Sequence, residues 1–323
     1  MSWFFFALIC LLGWGFADLF YKKGTDEDDR YSHLKIAVWV GLVMGVCAFA
    51  LFPLSETLKE DFSLFSFAKM SLKYSPASLC YIISMVIGYA GLRYLELSIV
   101  SPVQNASGAL SAVFMFVYFL CVGRIASFTD EFGVLDIVGS ALIVLGVIAL
   151  AVVEKKLTDK EKDIPKEERK YRFGALALLF PILYCVFDTV GTAADGIILD
   201  GEAGLGIGEI DVIILYGITF FVAGLICYIY LRIKTGSFYN PFAKSERNKG
   251  IAACCEEFGQ VFYVYAMASK PMLAAPMVAS YCIVSVILSR LIIKERLKAS
   301  QYACVISVII GIVLLGISEG LSE

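Results

Sequence analysis

Long apolar runs separated by short polar stretches recur along the whole chain. A run of about 20 residues, rising about 1.5 Å per residue as an α-helix, crosses a hydrocarbon core of roughly 30 Å. Ten such spans can be drawn, at 3–21, 33–54, 75–97, 100–122, 133–153, 172–198, 208–231, 250–268, 272–293 and 300–317. The apolar signal does not come in short alternating segments, which excludes a transmembrane β-barrel. The pattern predicts an all-α fold, a polytopic membrane protein of ten transmembrane helices. The first run lacks a basic leader and a small-residue cleavage motif and carries Asp18, so it reads as a retained span.

The connections between runs are short. Ser55–Tyr74 holds the run Phe62-Ser63-Leu64-Phe65-Ser66-Phe67, which suits the membrane interface, and Glu154–Tyr171 is densely charged. That second stretch divides the chain into a first five-span unit at 1–153, a linker at 154–171 and a second five-span unit at 172–323. The units match in places. The fourth span opens with Ser101-Pro102-Val103 and the ninth with Ala275-Pro276-Met277, and a tyrosine ends the span before each, Tyr94 and Tyr265. Asp136 precedes Gly146 in the fifth span as Gln301 precedes Gly311 in the tenth. Five is odd, so two such units cross the membrane in opposite senses, an inverted repeat.

Composition agrees with this reading. Hydrophobic residues make up 59% of the 323 and charged residues 18%, with mean hydropathy +0.79, against about 45–50% and about 25% in soluble domains. The ten cysteines fall mostly within apolar runs and read as small packing residues; no disulfide framework or zinc spacing is visible. Of the 27 lysines and arginines, twenty fall in the odd-numbered loops and five in the even-numbered ones. By the positive-inside rule that places the odd loops in the cytoplasm.

Carboxylates inside spans define the candidate chemistry, because a charge in hydrocarbon is costly unless it faces a polar interior. Asp18 and Asp188 lie at matched depths in the first and sixth spans, each four residues after an aromatic, Trp14 and Tyr184. In the eighth span Glu256, Gln260 and Tyr263 share a helical face, and Glu257 points about 100° away. At most one of the two glutamates faces the cavity centre, and that residue is the candidate proton carrier. Tyr89, Arg93 and Glu96 share a face of the third span, with Arg93 and Glu96 a candidate gate pair; an interfacial salt bridge is the alternative. Asn105, Tyr281 and the aromatics Trp14, Tyr89, Tyr184 and Tyr263 complete the candidate substrate-binding set. Asp195, near the end of its span, reads as solvated, and Gly41 with Gly45 as a close-packing pair. No catalytic motif, metal site, cofactor site or nucleic-acid-binding feature is present, so an enzyme is disfavoured.

Ten spans in two inverted halves, with Pro102 and Pro276 opening matched helices and Lys294-Glu295-Arg296-Leu297 before a final helix containing Gly311, resemble the drug/metabolite transporter superfamily, specifically its EamA-type members. The first-half turn, Gly123-Arg124, departs from that pattern: about nine extra residues follow it and the acidic residue is missing. The resemblance covers nearly the whole chain and implies a secondary carrier or exchanger with a central cavity, working by alternating access. It also implies both termini in the cytoplasm, opposite to the charge count, and orientation stays open. The function expected is proton-coupled transport of a small polar, amine-bearing or cationic metabolite by a monomer or homodimer in a bacterial cytoplasmic membrane. The alternatives are a divalent-cation carrier, a neutral, sugar-like solute carrier, and a membrane scaffold that transports nothing.

Overall fold

The computed structural model describes residues 2–26, 28–55, 57, 63–94, 97–127, 132–160, 179–288, 291–292 and 298–322. Its α-helices are α1 (Trp3–Gly24), α2 (Ser32–Leu51), α3 (Leu64–Gly91), α4 (Leu97–Gln104), α5 (Ala106–Cys121) and α6 (Val134–Lys160), followed by α7 (Leu179–Leu199), α8 (Glu209–Thr235), α9 (Arg247–Ser269), α10 (Pro271–Ala279), α11 (Tyr281–Leu288) and α12 (Ala299–Ser322). No strand occurs among the described residues. Among the described residues eight stretches are long and apolar enough to cross a membrane: α1, α2, α3, α6, α7, α8, α10 with α11, and α12. They mark the chain as an integral membrane protein.

Three segments of the expected ten depart from a plain apolar span. The middle of α9 carries Glu256, Glu257 and Gln260 and is less apolar than the other helices. The fourth expected span is split, because α4 ends at Gln104 and α5 begins at Ala106. The ninth is split as well, α10 giving way to α11 at Ser280. Asn105 and Ser280 are the junction residues, three positions after Pro102 and four after Pro276. A proline withdraws one backbone N–H from the helical ladder and lowers the cost of such a break. At the first junction Asn105 N–H still makes the helical bond to Ser101 O at 3.0 Å, whereas at the second Ser280 N–H turns to the nearer carbonyl of Met277 at 3.1 Å.

Helix ends follow local chemistry. The Ser63 side chain caps α3 by accepting from the Ser66 amide at 3.0 Å. Gly236, at φ 69°, turns the chain after α8 in the left-handed conformation that glycine adopts without strain. Lys22 and Lys23 close α1, and Arg232 and Lys234 close α8, where the helix dipole favours cations.

The helices pack in pairs: α1 on α9, α2 on α8, α3 on α7, α5 on α10, and α6 on α12. Between helices in lipid the hydrophobic effect contributes little, so close van der Waals contact decides, and small residues permit it. Gly13 meets Gly259, Gly41 meets Gly224, Gly108 meets Ala275 and Ala279, and Gly139 meets Gly311. Gly41 and Gly45 both face α8, the latter against Phe221. The α10–α11 stretch is central, 78% of its span lying inside the protein, whereas α6 and α12 are peripheral at 28%. Outward faces carry Val46, Phe49, Val113, Leu145, Ile226 and Ile306, all more than half exposed, as surfaces wetted by lipid require.

The two ends of the bundle differ. At one, Asn248 reaches Lys23 O and the Lys22 ammonium donates to Leu92 O at 2.9 Å. At the other, Trp3 and Lys270 both bond Glu319, and Arg124 pairs with Asp200 and Glu202. These are called below the basic end and the terminal end.

Candidate functional site

The paired helices enclose one polar cavity of about 70 Å³. A water molecule needs roughly 10–15 Å³ by this measure, so the space suits several waters or one small solute. All nine residues of the sequence-predicted binding set line it: Trp14 and Asp18 from α1, Tyr89 from α3, Asn105 at the first junction, Tyr184 and Asp188 from α7, Gln260 and Tyr263 from α9, and Tyr281 at the start of α11. Glu256 lines it too. No lysine, arginine or histidine does among the described residues.

Two aspartates are held by serines on the broken spans. Asp18, buried on α1, accepts through Oδ2 from Ser101 of α4 at 2.6 Å and from Ser285 of α11 at 2.8 Å. Asp188 accepts from Ser107 of α5 at 2.6 Å. Asn105 donates to the carbonyl of Ser101 at 2.7 Å, fixing the turn that presents that serine. The junctions therefore place hydroxyls on both carboxylates.

Aromatic rings build the walls. The Trp14 indole N–H donates to Glu256 O at 3.2 Å, and its ring rests on Gly259, where a Cβ would lie 2.4 Å away. Trp14 also packs against Tyr263, with centroids 5.1 Å apart, and edge-on against Tyr281 at 5.7 Å. Tyr21 and Tyr89 lie 4.8 Å apart. The Gln260 Nε2 is buried without a hydrogen-bond partner among the described residues, and the hydroxyls of Tyr21 and Tyr89 have no partner there but each other. Buried polar atoms are normally satisfied, so the Gln260 amide is poised for a ligand or water.

A tyrosine layer floors the cavity towards the terminal end. Tyr81 donates to Thr192 Oγ1 at 3.1 Å, its oxygen lies 2.5 Å from the Tyr263 hydroxyl, and its ring meets Tyr216 at 5.6 Å. Beyond it Tyr74 donates to Asp195 at 3.0 Å. Asp195 is fully buried, not solvated as its place near a span end suggests. Helix α3 supplies the cover: it runs antiparallel to α7 and lays Tyr74 over the carboxyl.

The two glutamates diverge as their 100° offset requires. Glu256 faces the cavity, whereas Glu257 is buried towards α2, with the Cys47 thiol beside it. Arg93 sits past the end of α3 with its guanidinium over the Tyr94 ring at 5.5 Å; its expected gate partner, Glu96, lies outside the described residues. Sequence reasoning missed Tyr21, Tyr81, Ser101, Ser107, Thr192, Tyr216 and Ser285. Tyr21 was within reach, since Trp14, Asp18 and Tyr21 fall at i, i+4 and i+7, as was Thr192 four residues beyond Asp188. The serines carry no such signal.

No family model matches this chain, and no curated protein matches it. A solved structure described only as "Crystal structure of protein" is similar in fold, with TM-score 0.61 at 12% identity over 99% of this chain and 98% of that one. At that identity the likeness extends to the fold alone.

Proposed function

We propose that the chain is a secondary transporter of the EamA-like, drug/metabolite type, carrying a small amine-bearing or cationic metabolite through this cavity in exchange for, or coupled to, protons. One observation carries the reading: three carboxylates, Asp18, Asp188 and Glu256, line a cavity walled by tyrosines and a tryptophan, with no basic side chain among the described lining residues. Carboxylates supply the counter-charge for an ammonium group, and aromatic faces attract it. A proton on the same carboxylates neutralises the cavity when the substrate leaves, which couples the two.

Ten spans in two inverted five-helix repeats are part of this reading, and the helix pairing supports it. A two-fold relation between halves exchanges the first span with the sixth and the third with the eighth. It therefore maps the pair α1–α9 onto α7–α3 and leaves α2–α8, α5–α10 and α6–α12 each mapped onto itself, which is the set of partners found. Matched breaks at Asn105 and Ser280 fit discontinuous helices at a transport site. Among the described residues no three His, Cys, Asp or Glu converge as metal ligands, which favours an organic cation over a divalent ion.

The test is a thermal-unfolding screen of the purified protein against amines, amino acids, sugars and divalent ions at pH 6 and pH 8, followed by flux in proteoliposomes. A ligand at about 100 times its dissociation constant contributes about 2.7 kcal/mol. The expected result is stabilisation by one amine class, lost in Asp188→Asn, and flux driven by a pH gradient that Glu256→Gln uncouples. Stabilisation by metal or sugar alone, or amine binding untouched by both substitutions, overturns the proposal.

A further inference from the structure

A second cavity, of about 760 Å³, lies on the outer face of the α1–α9 seam and is unconnected with the transport reading. Its walls are almost wholly apolar: Leu12 and Phe16 from α1, Trp39 from α2, Phe242 from the segment after α8, and Ile251 and Phe258 from α9. Two cations, Lys244 and Arg247, stand at one end only. Both are exposed, and neither makes an ion pair among the described residues. The nearby Glu246 is occupied by Lys249 at 2.7 Å and by Tyr239 at 2.8 Å.

Depth identifies the occupant. From Arg247 at the start of α9 to Phe258 is eleven residues, about 16 Å along a helix, and half of a bilayer's hydrocarbon core is roughly 15 Å. On α1, Leu12 lies a similar distance from the helix end at Gly24. The groove therefore begins at headgroup level with two positive charges and ends about one leaflet deep among apolar side chains. Trp39 lies about 10 Å down α2 and meets Phe242 edge-on, centroids 5.6 Å apart, forming the side wall. A zwitterionic phospholipid offers a phosphate but brings its own headgroup cation against Lys244 and Arg247, leaving net positive charge at that end, and a soluble anion leaves the apolar walls uncovered.

We infer that this groove is a binding site for one anionic diacyl phospholipid, its phosphate on Lys244 and Arg247 and an acyl chain along Leu12, Phe16 and Phe258. The lipid lies on the back of the seam whose inner face carries Trp14 and Glu256, where Gly13 packs on Gly259. Occupancy braces that contact from outside.

Native mass spectrometry of the full chain in neutral detergent, titrated with phosphatidylglycerol, phosphatidylcholine and glycerol 3-phosphate, tests the site. With two basic residues at the headgroup, phosphatidylglycerol is expected to bind about thirtyfold tighter than phosphatidylcholine. The double variant Lys244→Gln/Arg247→Gln, altering exposed side chains only, removes that preference. Cys254→Trp, which fills the groove and keeps both cations, weakens both lipids alike. Equal binding of the two lipids, a preference that survives the double variant, or full competition by glycerol 3-phosphate overturns the inference.

Discussion

The hydroxyl of Ser101 donates to Asp18 across 2.6 Å, tying the half-helix α4 to the middle of α1. Ser285 of α11 donates to the same oxygen, so one carboxylate holds both broken spans. Asp18→Ala takes the acceptor from the Ser101 hydroxyl and leaves the Ser285 hydroxyl only longer bonds, to Gly15 O at 3.4 Å and Tyr281 O at 3.3 Å, and is expected to cost about 1–3 kcal/mol of stability. Asp18→Asn keeps an acceptor for at least one serine and costs less, while losing the charge that an ammonium ligand needs. Equilibrium unfolding in mixed micelles gives the order; an Asn variant as unstable as the Ala variant contradicts the serine bridge.

Tyr74 and Asp195 form the second buried contact, beyond the tyrosine layer. One oxygen of Asp195 takes the Tyr74 hydroxyl and the other has no partner among the described residues. Tyr74→Phe removes the donor and leaves the carboxyl wholly unsatisfied, at a cost of about 1–3 kcal/mol. Adding Asp195→Leu to Tyr74→Phe removes the unsatisfied group and recovers part of that loss. A double-mutant cycle reads the coupling directly, and strictly additive effects count against the contact.

The helical face rule brought part of the cavity's polar lining into view from sequence. Trp14 with Asp18, and Tyr184 with Asp188, sit four apart on helices whose other residues are apolar, and only a polar interior makes that placement tolerable. The same rule separated Glu256 from Glu257. It failed where the determinant is a partner helix. Asp195 looks like a span-end residue until α3 lays Tyr74 across it, and Ser101, Ser107 and Ser285 are ordinary small residues until the breaks at Asn105 and Ser280 aim them. Helix continuity was equally hidden: Pro102 and Pro276 mark weak points, yet the chain gives way three or four residues later.

Glycine seams make a graded prediction. A Cβ on Gly41 would lie 2.5 Å from Phe220 O and 2.9 Å from Gly224 Cα, both backbone atoms that cannot step aside. Gly41→Ala forces α2 from α8 and is expected to cost about 1–3 kcal/mol, as overpacking does. Gly123→Ala meets no atom within 4 Å but holds φ at 75°, so only backbone strain of about 1 kcal/mol opposes it. Gly201→Ala has open space and no positive φ and should be neutral. Thermal midpoints of the three variants should fall in that order, and a neutral Gly41→Ala rejects the close α2–α8 contact.

Lys249 and Glu246 form an ion pair of 2.7 Å at the basic end, with both side chains nearly inaccessible. Tyr239 donates to the same carboxylate oxygen at 2.8 Å, and the Lys249 stem packs on Gly24 at the end of α1. The pair thus ties the start of α9 to the segment that carries Tyr239 and holds the Lys249 stem against Gly24 at the end of α1. Removing one member of a buried pair leaves an uncompensated charge, at about 3–5 kcal/mol, whereas replacing both by apolar groups of similar size is often neutral. Lys249→Met alone is therefore expected to destabilise by about 3 kcal/mol or more. The double change Lys249→Met/Glu246→Leu should recover most of it, falling short by about 1 kcal/mol because Tyr239 loses its acceptor. If Lys249→Met costs no more than an exposed substitution such as Lys244→Gln, the pair is solvated in the membrane-embedded protein and α9 is anchored by its glycine seam alone.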